Sequence, residues 1–175
     1  MSDPMSQPPS ASQTYKQLHN AALEFVDAQA QDPALPSRMN FDRIRAVTTS
    51  DFQHSWGHNY ATGLNPRLQG THSFLLFTKH LEAMLPNLVS WETTVTNVIV
   101  DEVKRQVVLR VSFYMVPKET EEGVENDLLW VLEMARDGEK WKIRRSKEFI
   151  DVAAAGRLKE IMTGGKTQRR ISLDR

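Results

Sequence analysis

The sequence predicts an α+β domain, with helices packed on one face of a curved antiparallel sheet. Three observations carry that prediction. Apolar residues recur at helical spacing in the first half of the chain, over Tyr15–Val26 and again over Phe74–Met84. Four runs rich in β-formers follow one another in the second half. Two of the links between those runs are tight, "EVKR" and "RDGEK", and the Asp-Gly of the second is a hairpin signal. Helices followed by a strand meander form an α+β plan. A sheet curled around a helix leaves a pocket at its open end.

The elements follow in order. Residues 1–12 are rich in Ser, Pro and Gln and are expected to be a disordered tail. One domain is expected over 13–163. Tyr15, Leu18, Ala22, Phe25 and Val26 share a stripe, which predicts a helix over 12–30. "QDPALPS" breaks it with two prolines. A short helix is expected over 40–46. "DFQHSWGHNY" reads as a short strand or extended segment, and "TGLNPRLQG" as a loop. A second long helix is expected over 71–84, stopped by Pro86. The strands are expected over 89–101, 106–117, 124–135 and 141–150, with the acidic "KETEEG" as the longer connection. A helix over 152–162 closes the domain. Residues 164–175 read as a basic, flexible tail in which "RRIS" matches a basophilic kinase site at Ser172.

Composition narrows the chemistry. Lys plus Arg and Asp plus Glu both number 22 in 175 residues, so no basic surplus points to nucleic acid. There is no cysteine, which removes disulfides, thiolate metal sites and cysteine nucleophiles. No run approaches the roughly 20 apolar residues of a membrane helix, and the N-terminus has no signal pattern. A soluble cytoplasmic protein is the expectation. GxGxxG, Walker, GxSxG and HExxH motifs are all absent. An enzyme built from this chain is therefore expected to work with side-chain acids and bases, without a cofactor or a metal.

The strand faces supply the candidates. In "ENDLLWVLEM", Leu128, Trp130, Leu132 and Met134 line one side, and Leu129, Val131 and Glu133 the other. A loop centred on Asp137 and Gly138 pairs Leu132 with Ile143 and sets Glu133 opposite Lys142. A loop longer by two residues sets it opposite Arg144. Glu133 is therefore either a cross-strand ion-pair partner, which is the favoured reading, or a buried acid. A strand apolar on both sides needs cover on both, and a second copy of the chain could supply it. Asn97 falls opposite Arg110, so Asn97, Arg110, Ser112 and Tyr114 share a face that is either a polar pocket wall or the solvent side. Arg110 could orient a carboxylate or an oxyanion. Glu148 is open between pairing and pocket. Asp151 reads as a helix cap.

All five histidines lie in the helical half. His54, Trp56, His58 and Tyr60 share one side if their segment is extended. Histidine suits proton transfer near neutrality, and the aromatics suit a flat apolar ligand; a half-exposed strand edge is the rival reading. His72 reads as a cap neighbour and His80 as facing either pocket or core edge. His19 reads as a surface residue.

The element order and the segment "VENDLLWVLEM…DGEKWKIRRSKEFID" followed by a short helix resemble the nuclear-transport-factor-2-like, or SnoaL-like, proteins, closest to fungal members of secondary metabolism. The resemblance covers 15–162. It implies a cone-shaped fold with an internal apolar pocket and a homodimer through the sheet. It also implies a place among ketosteroid isomerase, scytalone dehydratase, limonene epoxide hydrolase, polyketide cyclases, meroterpenoid isomerases and non-catalytic binding modules. The Asp-Arg-Asp set of limonene epoxide hydrolase has no full match. The expectation is a cofactor-independent isomerase, cyclase or dehydratase acting on a hydrophobic polyketide or terpenoid intermediate. The alternative is a binding or interaction module of the same fold. The candidate catalytic residues are His54, His58, Arg110, Glu133 and Glu148. Trp56, Tyr60, Asn97, Tyr114 and Trp130 are the candidate substrate contacts.

Overall fold

The computed structural model describes residues 6–118 and 120–164. Residues 1–5 of the first expected tail and 165–175 of the second, with Ser172, therefore lie outside the described residues. The helices are α1 (Gln13–Asp27), α2 (Phe41–Ala46), α3 (Asn59–Gly63), α4 (Phe74–Met84) and α5 (Val152–Met162). The strands are β1 (Thr48–Trp56), β2 (His72–Ser73), β3 (Leu88–Asp101), β4 (Gln106–Pro117), β5 (Val124–Asp137) and β6 (Lys140–Phe149). They form one curved, six-stranded sheet in the order β2-β1-β6-β5-β4-β3. The meander is antiparallel, and β1 joins its edge parallel to β6.

Local chemistry sets the helix ends. Ser12 caps α1 by accepting the Tyr15 N–H, Ser73 caps α4 and Asp151 caps α5 through the N–H groups of Ala153 and Ala154. "TGLNPRLQG" holds the end of α3 and a 3₁₀ turn at Pro66–Leu68 where a plain loop was expected. The apolar stripe of α1 packs onto the inner face of the sheet. Leu18, Ala22 and Phe25 are fully buried with Leu109, Val111, Leu132 and Ile143. Burying each such large side chain stabilises the fold by about 1.5–3 kcal/mol. His19 is a correction to the sequence reading. It is buried rather than exposed, and its ring stacks at 6.0 Å on Tyr15.

The last hairpin decides what faces inward. Its two-residue turn is Gly138-Glu139, one position later than expected, and Asp137 pairs with Lys140. Gly138 has φ +62°, which a glycine adopts without strain. From Ala135–Lys142 to Met134–Ile143 the register is regular. It then slips, and Glu133 pairs with Arg145. Arg144 is the extra residue of a β-bulge. Before it, Trp141 and Ile143 are buried; after it, Ser146 is. Without the bulge, Arg145 and Lys147 would occupy the inner positions. With it, Ser146 and Glu148 do. The expected pairing of Leu132 with Ile143 gives way to Leu132 with Ser146.

Candidate active site

Three strands converge on one row of the inner face. Across the ladder, Glu148 on β6 is flanked by Trp56 on β1 and Trp130 on β5. One step along, His54 on β1 lies across from Ser146. The His54 ring has no exposed surface and the Glu148 side chain only 14%. His54 Nδ1 and Ser146 Oγ are 2.8 Å apart. His54 Nε2 lies 3.7 Å from Glu148 Oε2 and has no hydrogen-bond partner. The walls around His54 are aromatic, with ring centroids 4.3 Å away at Trp56, 4.6 Å at Phe77 and 5.5 Å at Trp130. His72 on β2 and His80 on α4 each sit 4.9 Å from the Trp56 ring.

Burial sets the protonation of the pair. It pushes the Glu148 carboxyl up to about 8. It pushes His54 down to about 3, helped by His72 and His80. Near neutrality the two are thus a carboxylic acid and a neutral imidazole rather than an ion pair, despite their closeness. At 3.7 Å the contact is also too long for a hydrogen bond. A neutral acid beside a neutral base in an apolar surround can give a proton at one point and take one at another. Trp130 adds a second unsatisfied group, since its buried indole N–H has no acceptor.

Among the residues expected from sequence, His54, Trp56, Trp130 and Glu148 meet here. The others are elsewhere. β1 ends at Trp56, and His58 turns into the left-handed region at φ +57° as the N-cap of α3, so the alternation stops. The His58 ring is exposed and lies 5.2 Å from the Phe149 ring. Tyr60 is 84% exposed. Asn97, Arg110 and Tyr114 lie on the outer face of the sheet and are exposed. Arg110 forks onto Asp127, with its Nε donating to Oδ1 at 3.0 Å, and Asp127 holds the guanidinium's pKa above its ordinary value. Glu133 is on that face too, and Arg145 Nη1 donates to its Oε2 at 3.4 Å. Of the two readings of Glu133, the cross-strand pair is the one the structure shows, with Arg145 in place of Lys142 or Arg144.

The sequence reading did not single out Ser146 or Phe77. The signal for Ser146 is in "KIRRSKE". Strict alternation after buried Ile143 would drive Arg145 into the core, and a bulge avoids this. Among the described residues no group of three or more His, Asp or Glu side chains is arranged to hold a metal ion.

No protein-family profile matches the sequence, and a search of curated proteins finds no similar sequence. Solved structures do match. PrhC from Penicillium brasilianum superposes with a TM-score of 0.68 at 13% identity, covering 89% of this chain and 94% of its own. BvnE pinacolase from Penicillium brevicompactum gives 0.66 at 15% identity, covering 86% and 97%. A SnoaL-like protein from Jannaschia sp. CCS1 gives 0.63 at 16% identity, covering 86% and 95%. The fold is SnoaL-like. In this SnoaL-like sheet the His54–Glu148 row lies on the face that the helices cover. A groove of about 580 Å³ is walled by Gln106, Val131, Glu133, Arg145 and Lys147 together with His54 and Ser146 of that row.

Proposed function

We propose that this protein is a cofactor-independent acid/base enzyme, an isomerase, cyclase or dehydratase, acting on a hydrophobic polyketide or terpenoid intermediate of secondary metabolism. One observation carries the reading. A buried carboxylic acid and a buried neutral imidazole with a free Nε2 face each other inside an aromatic enclosure. Structural salt bridges do not need that arrangement, and proton transfer does. The similarity to BvnE pinacolase and PrhC supports a fold able to host such chemistry.

In an isomerisation, Glu148 gives its proton to the substrate while His54 Nε2 takes a C–H proton from it. The Trp130 N–H donates to a substrate oxygen, and Trp56 and Phe77 hold the apolar body. The resulting imidazolium and carboxylate neighbour each other, and the Nε2 proton passes to Glu148 as the gap closes. The site is then reset with no net proton exchanged. Arg110 and Glu133 have no part in this cycle, because both are paired on the other side of the sheet.

The test is proton exchange at activated C–H groups. A panel of hydrophobic ketones is incubated in deuterated water with the wild type, Glu148→Gln and His54→Gln, and deuterium incorporation is followed by NMR. Enzyme-dependent exchange that drops about 10²–10⁴-fold in both variants supports the reading. Tight binding of panel members without any exchange would instead favour the binding-module alternative.

The homodimer through the sheet is also proposed. Ile99, Tyr114 and Leu129 stand 57%, 47% and 44% exposed on the outer face, which supports cover by a second copy. Sedimentation equilibrium measures it, and a strict monomer at high concentration removes the idea.

A further inference from the structure

The two nitrogens of His54 meet different neighbours, and only one of those neighbours belongs to the acid/base pair. Nε2 faces Glu148. Nδ1 faces the hydroxyl of Ser146, itself 2% exposed, at 2.8 Å. A neutral imidazole carries one N–H and one lone pair, and its surroundings decide which nitrogen holds which.

The other titratable groups around the ring are few. β2 contributes His72 and α4 contributes His80, with Arg67 acting on His80 from the 3₁₀ turn. From β5 the ring meets Trp130, which does not titrate and whose inner neighbour is Leu132. Burial, with His72 and His80, disfavours a resting imidazolium at His54, and neither histidine is hydrogen-bonded to Nδ1 among the described residues. Ser146 is the only hydrogen-bond partner the described residues give to the ring.

We propose that Ser146 is a positioning residue: its hydroxyl accepts the Nδ1–H of His54 and so keeps the Nε2 lone pair turned toward Glu148 and the substrate. The proposal rests on the acid/base reading above. In the opposite arrangement Ser146 donates to Nδ1, the proton sits on Nε2, and no nitrogen is left to take a proton from the substrate. With Nδ1–H in place from the start, protonation at Nε2 needs no reorientation of the hydroxyl. The donor–acceptor pattern is the same before and after transfer, which is what preorganisation requires.

The bulge at Arg144 makes this possible. It turns Ser146 and Glu148 inward together, two residues apart on one strand, so that one strand serves both sides of one imidazole.

The experiment is ¹⁵N NMR of the histidine rings in the full chain near neutral pH, with His54→Gln assigning the signal. No substrate is required. The expected wild-type spectrum has a protonated Nδ1 and a pyridine-like Nε2 at His54. In Ser146→Ala the His54 signals move toward the Nε2–H tautomer. Ser146→Thr keeps a hydroxyl at a strand position that suits a β-branched residue, and it retains the wild-type pattern. A wild-type ring protonated at Nε2 overturns the proposal, as does an unchanged tautomer in Ser146→Ala. If Ser146→Ala does not fold, the wild-type and Ser146→Thr spectra still decide. The acid/base reading fails separately, by unimpaired proton exchange in Glu148→Gln, an outcome that leaves the tautomer result untouched.

Discussion

Glu148 and Glu133 are the same side chain on neighbouring strands of one sheet, and they end in opposite states. Glu133 is on the outer face, 46% exposed, and is satisfied by Arg145. Glu148 is on the inner face among Trp56, Trp130 and His54, with no cation among the described residues near enough to neutralise it. Burial then makes the neutral acid the stable form. The difference is one of position. The outer face solves its charges by pairing them, as Arg110–Asp127 also does. The inner face keeps an acid and a base apart and unpaired.

The sharpest way to break that comparison is to neutralise each glutamate in turn. Glu148→Gln removes about 10²–10⁴ of proton-exchange activity, while Glu133→Gln leaves it unchanged. Equal losses in both variants would show that the inner row is not the working site.

The pH dependence of stability gives the next largest effect. Folded Glu148 keeps its proton up to about 8, whereas its ordinary value is 4.5. Between those values the unfolded chain binds fewer protons, so stability falls as pH rises, by at most about 1.4 kcal/mol per unit. His54 works in the other direction. Its folded value of about 3 lies below the ordinary 6.5, so stability falls as pH drops through that window. The two slopes oppose each other where the windows overlap. Urea midpoints measured across pH should therefore fall toward both ends. Glu148→Gln flattens the alkaline limb and His54→Gln the acid limb. An alkaline limb that persists in Glu148→Gln assigns it to another group.

A smaller effect tests the packing beside the site. A Cβ on Gly57 would lie 2.2 Å from the Phe149 ring, while the Gly57 N–H donates to the Glu148 carbonyl at 2.6 Å. Gly57→Ala is expected to lose about 1–3 kcal/mol by overpacking, read from thermal unfolding. Gly123 meets the Tyr114 ring just as closely, but that ring is half exposed on the outer face and can swing aside. Gly123→Ala should lose less. The smallest effect belongs to Arg110→Ala, whose exposed pair with Asp127 leaves both exchange activity and the urea midpoint within error of the wild type.

Much of the fold was legible because periodicity and punctuation agree along most of the chain. Pro86, the Asp151 cap and the Asp-Gly turn mark ends that the structure keeps within a few residues. Asn97 opposite Arg110 also emerges as read. The site was legible in part. His54 and Trp56 follow from alternation, which holds only until β1 ends. His58 and Tyr60 were misgrouped because a left-handed residue and a short helix interrupt the strand, and no residue type announces that turn. The inward position of Glu148 depends on a bulge, a tertiary choice between burying an arginine and adding a residue to one strand. His19 was misjudged because a polar residue on an amphipathic helix gives no sign of stacking beneath Tyr15.

Arg144 touches neither His54 nor Glu148 in any described hydrogen bond; its guanidinium is occupied by Asp51 on the outer side. Yet the inward row depends on how the strand is paired around it. The same strand paired without a bulge would keep every side chain and present Arg145 and Lys147 to the core and Ser146 and Glu148 to water. What this strand encodes is thus a phase as much as an alphabet. The same letters paired in unbroken register would keep the scaffold and turn Ser146 and Glu148 outward, and a relative with the bulge but other letters would inherit two inward positions on which different side chains can be written.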